Sequence, residues 1–308
     1  MRFNLFIITF LVLTITSCKK NTSGFVDDIS SFDVNPRTLT VSINDSVRFD
    51  LSGNPDVISF YSGEIGRVYD FRNRTVLNGG SLLLKFETRV INRPADTLDV
   101  LVSSNFSGIY DSVNVVNATW KSLNNKLLFP MPSTPLNTFI PSGLNPGIFL
   151  NITDSLVAGQ PFYLAFRYTI LRTNNIEWSV GKLGVYNIFT NGTPNATVID
   201  STNNNTGGFV PVALREPTRW SRTSTLYKCL NSSTAVIGAQ HYYISRPLNP
   251  NAVNPDAPIG IKNISQNPLK YFAFKYSMPG TYKVAFVASN ARLEMNQSSV
   301  KEFTIIVQ

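Results

Sequence analysis

Pro279-Gly280-Thr281-Tyr282-Lys283-Val284-Ala285-Phe286-Val287-Ala288 opens on a turn pair and then sets Tyr282, Val284, Phe286 and Ala288 at every second position. Successive side chains of an extended chain point to opposite faces, so this period places the four on one side of a β-strand. The same pattern closes the chain at Phe303, Ile305 and Val307. Moving toward the N-terminus, it recurs at Phe162, Leu164, Phe166 and Tyr168, at Leu98, Val100 and Val102, and at Leu82, Leu84 and Phe86. Near the start, Leu39, Val41 and Ile43 precede the turn pair Asn44-Asp45, and Val47, Phe49 and Leu51 follow it, which predicts a hairpin. Amphipathic helical spacing is almost absent, and Gly, Pro and Asn punctuate the runs. The expected fold class is therefore all-β, of the sandwich or jelly-roll kind.

The segment from Tyr276 through Ser289-Asn290 to the strand Val300–Val307 resembles the last two strands of a PKD-type immunoglobulin-like domain. Residues just upstream do not supply the opening strands of such a domain, whereas residues 38–62 do: one strand, a second ending in Phe49-Asp50-Leu51-Ser52-Gly53, and a third around Val57 to Tyr61. The expectation is a PKD/Ig-like β-sandwich made of residues 29–75 and 226–308, split by an inserted jelly-roll-like β-sandwich over 76–225.

The first residues carry Arg2, an apolar run from Leu5 to Leu13, and then Ile15-Thr16-Ser17-Cys18. The run is shorter than the ~20 residues needed to span a bilayer, and small residues follow it, as in a signal peptide. The segment resembles a bacterial lipobox. Residues 1–17 are thus read as signal peptide, Cys18 as the lipidation site, and 18–28 as a polar tether. With Cys18 assigned to lipid, Cys229 is the one thiol left, so stability must come from packed cores. The net charge of +8 is spread over a chain with only 15% charged residues. A nucleic-acid ligand would call for a clustered basic stripe, and none is present.

A wider resemblance rests on six ordered motifs: Phe60-Tyr61-Ser62-Gly63-Glu64-Ile65-Gly66, Val102-Ser103-Ser104-Asn105-Phe106-Ser107-Gly108, Ala118-Thr119-Trp120, Ala165-Phe166-Arg167-Tyr168, Ile244-Ser245-Arg246-Pro247-Leu248 and the Pro279-Gly280-Thr281-Tyr282 ending. Together they resemble a family of Bacteroidota lipoproteins catalogued as a domain of unknown function. Members stand beside outer-membrane glycan importers of the starch-utilisation type. The resemblance implies an outer-membrane, lipid-anchored protein, at the cell surface or on the periplasmic face, that handles oligosaccharide or polysaccharide. An alternative it also implies is an accessory subunit that binds the importer or its lipoproteins and no sugar. Lys19-Lys20-Asn21 departs from the acidic residues that often follow the lipidated Cys of surface-exported members.

Catalytic inventory is poor, and no enzymatic activity is expected. One His, His241, and one non-lipidated Cys leave little for a zinc site, a Ser-His-Asp triad or a Cys-His pair. A glycoside hydrolase needs two carboxylates; Glu64 is the best candidate, and its plainer reading is structural. No residue pattern assigns a metal or cofactor, though a structural calcium ion is compatible with a jelly roll. Sugars are held by aromatic faces and planar polar groups. Trp120 and Trp178 alternate with polar neighbours as core residues do. Trp220 sits in the basic, loop-like Arg215-Glu216-Pro217-Thr218-Arg219-Trp220-Ser221-Arg222, so Trp220, Arg219 and Arg222, with Tyr242, are the expected ligand-binding residues. Tyr242 and Tyr243 are adjacent in a strand and must face opposite ways. Finally, Asp45-Ser46-Val47, Asp96-Thr97-Leu98, Asp111-Ser112-Val113 and Asp154-Ser155-Leu156 resemble the short O-glycosylation acceptor of that phylum, or else polar turns that open strands.

Overall fold

Period-two alternation becomes strand almost throughout the computed structural model, which describes residues 29–92, 97–131, 134–135, 137–143, 149–173, 175–203, 205–290 and 297–308. The chain opens with β1 (Asp33–Pro36), β2 (Thr40–Val41), β3 (Ser46–Ser52) and β4 (Val57–Tyr61). Then come β5 (Ser81–Ile91), β6 (Thr97–Ser103), β7 (Lys121–Ser122), β8 (Ile140–Pro141), β9 (Leu150–Asn151), β10 (Tyr163–Thr169), β11 (Glu177–Ile188), β12 (Ala196–Ile199), β13 (Val210–Leu214), β14 (Trp220–Arg222), β15 (Leu226–Leu230) and β16 (Gln240–Ile244). The last are β17 (Ile259–Lys262), β18 (Tyr271–Lys275), β19 (Gly280–Asn290) and β20 (Gln297–Val307). Among the described residues the one α-helix is α1 (Ser112–Asn117), started by Asp111, whose carboxylate accepts from the Asn114 amide at 2.7 Å. The signal peptide, Cys18, the tether and Asp96 lie outside the described residues. Among those described, no helix is long and apolar enough to cross a membrane.

Two compact units result: one from the stretches ending at Phe60, Gly260–Thr281 and Ala285–Gln308, the other from Tyr61–Ile259 with Tyr282–Val284. In the first, a sheet ordered β1-β3-β18 faces one ordered β17-β4-β19-β20-β2. Phenylalanines fill the space between them: Phe49 lies 4.9 Å from Phe286, and Phe60 lies 4.8 Å from Phe286 and 5.0 Å from Phe272, centroid to centroid. Their tilted and edge-on geometry adds roughly 0.5–1.5 kcal/mol per pair to the burial term. The expected hairpin across Asn44-Asp45 is not formed. β3 pairs with β1 and β18, whereas β2 runs parallel to β20, Thr40 opposite Ile306. Leu39 and Ile43 are exposed, so their alternation faced solvent, and the turn carries the chain from one sheet to the other.

The second unit is a sandwich of a sheet ordered β13-β16-β10-β6-β7 and one ordered β14-β15-β11-β5-β8, with β12 added on β11 and β9 on β5. Most successive strands pass from one sheet to the other, so the inward residues of both, among them Leu84, Phe86, Phe166, Tyr168, Val180 and Tyr227, form one core. A second, smaller core lies on the other face of the five-stranded sheet, where Phe106, Val115 and Trp120 cover Tyr242 and Ile244. The expected limits of the insertion, 76 and 225, are too narrow. β15 pairs with β11 and β16 with β10, so residues 226–259 belong to the inserted unit and the chain returns only at β17. Alternation is equally strong in both units, and it carries no information about which sheet a strand joins.

Candidate functional site

Trp220 is buried in the inter-sheet core of the second unit. Its indole stacks on Tyr243 at 5.3 Å and 10°, and its N–H donates to the His241 carbonyl at 2.8 Å. No sugar ring can reach that face, so the expected stacking platform is not there. The cause is local: Pro217 ends the loop, and β14 then pairs Trp220 opposite Cys229, an inward position. Arg219 is committed to Glu216, donating from Nε at 2.6 Å and from Nη2 at 2.8 Å, and to Ser232 at 2.9 Å. Tyr242 faces the opposite side of its sheet from Tyr243 and is buried beside Trp120. Only Arg222 of the four is exposed, and they form no common site.

The remaining motif residues are structural. Trp178 belongs to the inter-sheet core, and Trp120 donates to the Val115 carbonyl at 2.9 Å. Glu64 accepts from the Ser62 hydroxyl at 2.9 Å within a tight turn. His241 donates from Nε2 to Glu216 at 2.9 Å with its ring wholly buried. Glu216 is held at about 2, first by the bonds from Arg219, while burial pushes the imidazole below its ordinary range. The cluster is a strap that ties residues 216–236 to β16. Among the described residues, no group of three or more His, Cys, Asp or Glu side chains is placed to hold a metal ion. Of the acceptor-like motifs, Asp111 caps a helix and Asp154 sits in a 3-10 turn, so neither opens a strand, and the Ser155 hydroxyl oxygen is out of solvent reach.

A different surface gathers chemistry. On β5 the inward residues are Leu82, Leu84 and Phe86, so Lys85, Glu87 and Arg89 point away from the core. β11 lies beside it, and between Gly181, opposite Glu87, and Gly184, opposite Lys85, it holds one extra residue. This β-bulge puts Lys182 at φ 49° and directs its ammonium to Glu87 at 3.1 Å. Glu177, further along β11, accepts from Lys228 on β15 at 3.2 Å and lies 3.7 Å from Arg89. Gly184 has a specific use: an added Cβ would come within 2.6 Å of the Tyr186 ring, so only glycine lets that ring lie along the sheet. Tyr186 then meets Phe149 edge-to-face at 5.6 Å, and Phe139 packs under Arg89 at 4.8 Å.

Two cavities open on this surface and share Glu87 and Lys182 as a common wall. One, of about 350 Å³, is lined by Phe139 and the hydroxyl-bearing Ser201, Thr202, Ser224 and Thr225. The other, of about 150 Å³, is lined by Lys85, Phe86 and the turn Pro141-Ser142-Gly143. Their combined size suits a small ligand. No tryptophan marks this surface in the sequence, so its residues do not stand out there. The available signal was the run Lys85, Glu87, Arg89 interleaved with core residues, which marks a charged outer strand face.

The family model described as "Domain of unknown function (DUF5017)" matches residues 17–209. The chain belongs to that family. In this DUF5017 member the matched stretch contains β5 and β11, hence most of the charged surface, and ends before Trp220 and its strap. No curated protein and no solved structure matches the chain.

Proposed function

We propose that this DUF5017 member is a lipid-anchored protein of the outer membrane that binds oligosaccharide without turning it over, on the solvent face of β5, β11 and β15. The observation that carries the reading is one surface that holds paired charges, two adjoining cavities and three rings: Phe139 lines the hydroxyl-rich cavity, while Phe149 and Tyr186 stand beside Lys85, which lines the other. Rings take the CH side of a pyranose, while guanidinium, carboxylate and hydroxyl groups take its OH groups. The anchor rests on Ile15-Thr16-Ser17-Cys18, and an importer as partner rests on the resemblance of the ordered motifs. By the resemblance of Tyr276 through Asn290 and Val300–Val307 to the last two strands of a PKD domain, with residues 38–62 as its opening strands, we assign the first unit to the PKD/Ig-like class.

The spacing of the carboxylates on this face speaks against turnover. Glu177 is opposite Ile91, four positions along from Glu87. Four strand residues amount to roughly 13 Å, beyond the ~5–9.5 Å of glycosidase pairs. Each carboxylate also binds a cation.

Affinity electrophoresis against a broad polysaccharide panel tests the reading. Retention by at least one polymer is expected, with Tyr186→Ala reducing it about tenfold and Trp220→Phe leaving it unchanged. A blank across the panel would sink it.

One observation favours the alternative of a protein-binding accessory subunit. Ile109, Val113 and Val116 are each more than half exposed on α1 and the loop before it, an apolar patch without a described cover. Stable envelope-protein partners in a pull-down, lost with Val113→Asp and accompanied by no glycan retention, would decide for that reading.

A further inference from the structure

We infer that the saccharide held on this face is anionic, carrying a carboxylate or sulfate on one ring; the inference rests on the glycan-binding reading and narrows it. The charged side chains presented by β5, β11 and β15 are Lys85, Arg89, Lys182 and Lys228 against Glu87 and Glu177. Glu177 answers Lys228 and Arg89, and Glu87 answers Lys182. Among the described residues, Lys85 has no carboxylate within ion-pair distance. Its ammonium instead stands 5.3 Å from the centre of Phe149 and 5.4 Å from that of Tyr186. Two rings shield it from part of the solvent, which strengthens its pull on an anion relative to a lysine in open water.

The two cavities divide the recognition. Lys85 lines only the smaller one, with the Ser142 turn, whereas the larger presents four hydroxyl-bearing side chains and one phenyl ring, and Lys182 borders both. A neutral ring with many hydroxyls suits the second, an acidic substituent the first, and the Glu87–Lys182 pair separates them. The ligand that fits is a short acidic oligosaccharide, its charged group against Lys85 and the next residue of its chain among Ser201, Thr202, Ser224 and Thr225. The positive net charge, +8 for the whole sequence and +7 without Arg2 of the signal peptide, favours approach of such a polymer from a distance.

The test measures affinity of the whole exported chain for polygalacturonate, for the same polymer fully methyl-esterified, for dextran sulfate and for plain dextran. Binding to polygalacturonate or to dextran sulfate is expected, and which one binds identifies the anion. Esterification or omission of sulfate should weaken it at least about tenfold. Lys85→Met, which keeps the stem and removes the charge, should weaken it to a similar extent, and Lys85→Arg should restore most of it. Retention of neutral polysaccharides alone overturns the inference and leaves the glycan reading standing. Binding of anionic polymers that ignores Lys85→Met also overturns it, by reducing the effect to diffuse attraction. Failure of every polymer, neutral or charged, overturns both.

Discussion

Single residues in this protein take their roles from which side of a strand they occupy. Trp220 looked like a platform because its neighbours are basic and polar, yet β14 turns the indole inward onto Tyr243. Trp220→Ala is therefore expected to cost about 3–5 kcal/mol of stability, read by urea unfolding, through loss of packing. Glu216 offers a pH signature. Its carboxyl titrates at about 2 in the fold and near the ordinary 4.5 in the unfolded chain, so its contribution is complete above 4.5 and fades as the pH falls toward 2. His241, lowered by burial, acts in the same sense, destabilising the fold as the pH falls below its ordinary 6.5. Glu216→Gln should lower stability at neutral pH and flatten the acid limb of a stability-against-pH curve. An unchanged limb would show that the strap carries no such linkage. The Glu216–Arg219 pair spans three residues, but its junction with His241 was not legible in the sequence, since the imidazole meets them only after β14 and β16 have been brought to one core.

At the level of elements, the alternation of Leu82-Leu84-Phe86, of Leu98-Val100-Val102 and of Phe162-Leu164-Phe166-Tyr168 was readable as strand and identified the inward faces correctly. The bulge in β11 was not. It depends on a partner strand whose register, Gly181 with Glu87 and Gly184 with Lys85, is a long-range fact. Two substitutions probe it. Lys182→Gly relieves a left-handed residue while loosening the chain, so stability should stay within about 1 kcal/mol while glycan affinity drops. Gly184→Val should displace the Tyr186 ring and lower affinity with the strand still formed, checked by circular dichroism beside the binding assay. Unchanged affinity in both would detach the bulge from recognition.

Across the whole molecule, each unit has its own core, and the charged surface belongs wholly to the second. Phe286→Ala, which opens the phenylalanine cluster of the first unit, should lower one calorimetric transition, at a cost of about 3–5 kcal/mol, and leave polysaccharide retention intact. Simultaneous loss of binding would contradict that independence. The discontinuous arrangement was partly readable, because the opening strands and the closing ones complete one pattern. The point of return was not, because β15 and β16 alternate just as β17 to β20 do.

The parallel pairing of Thr40 with Ile306 has a temporal side. However the chain is delivered, if it comes N-terminus first, β20 arrives well over 200 residues after β2. Until then the earliest strands have unsatisfied edges, while everything needed for the interposed sandwich has already emerged. The first segment delivered is therefore among the last to find its neighbour, and removal of the final strands would leave it without one.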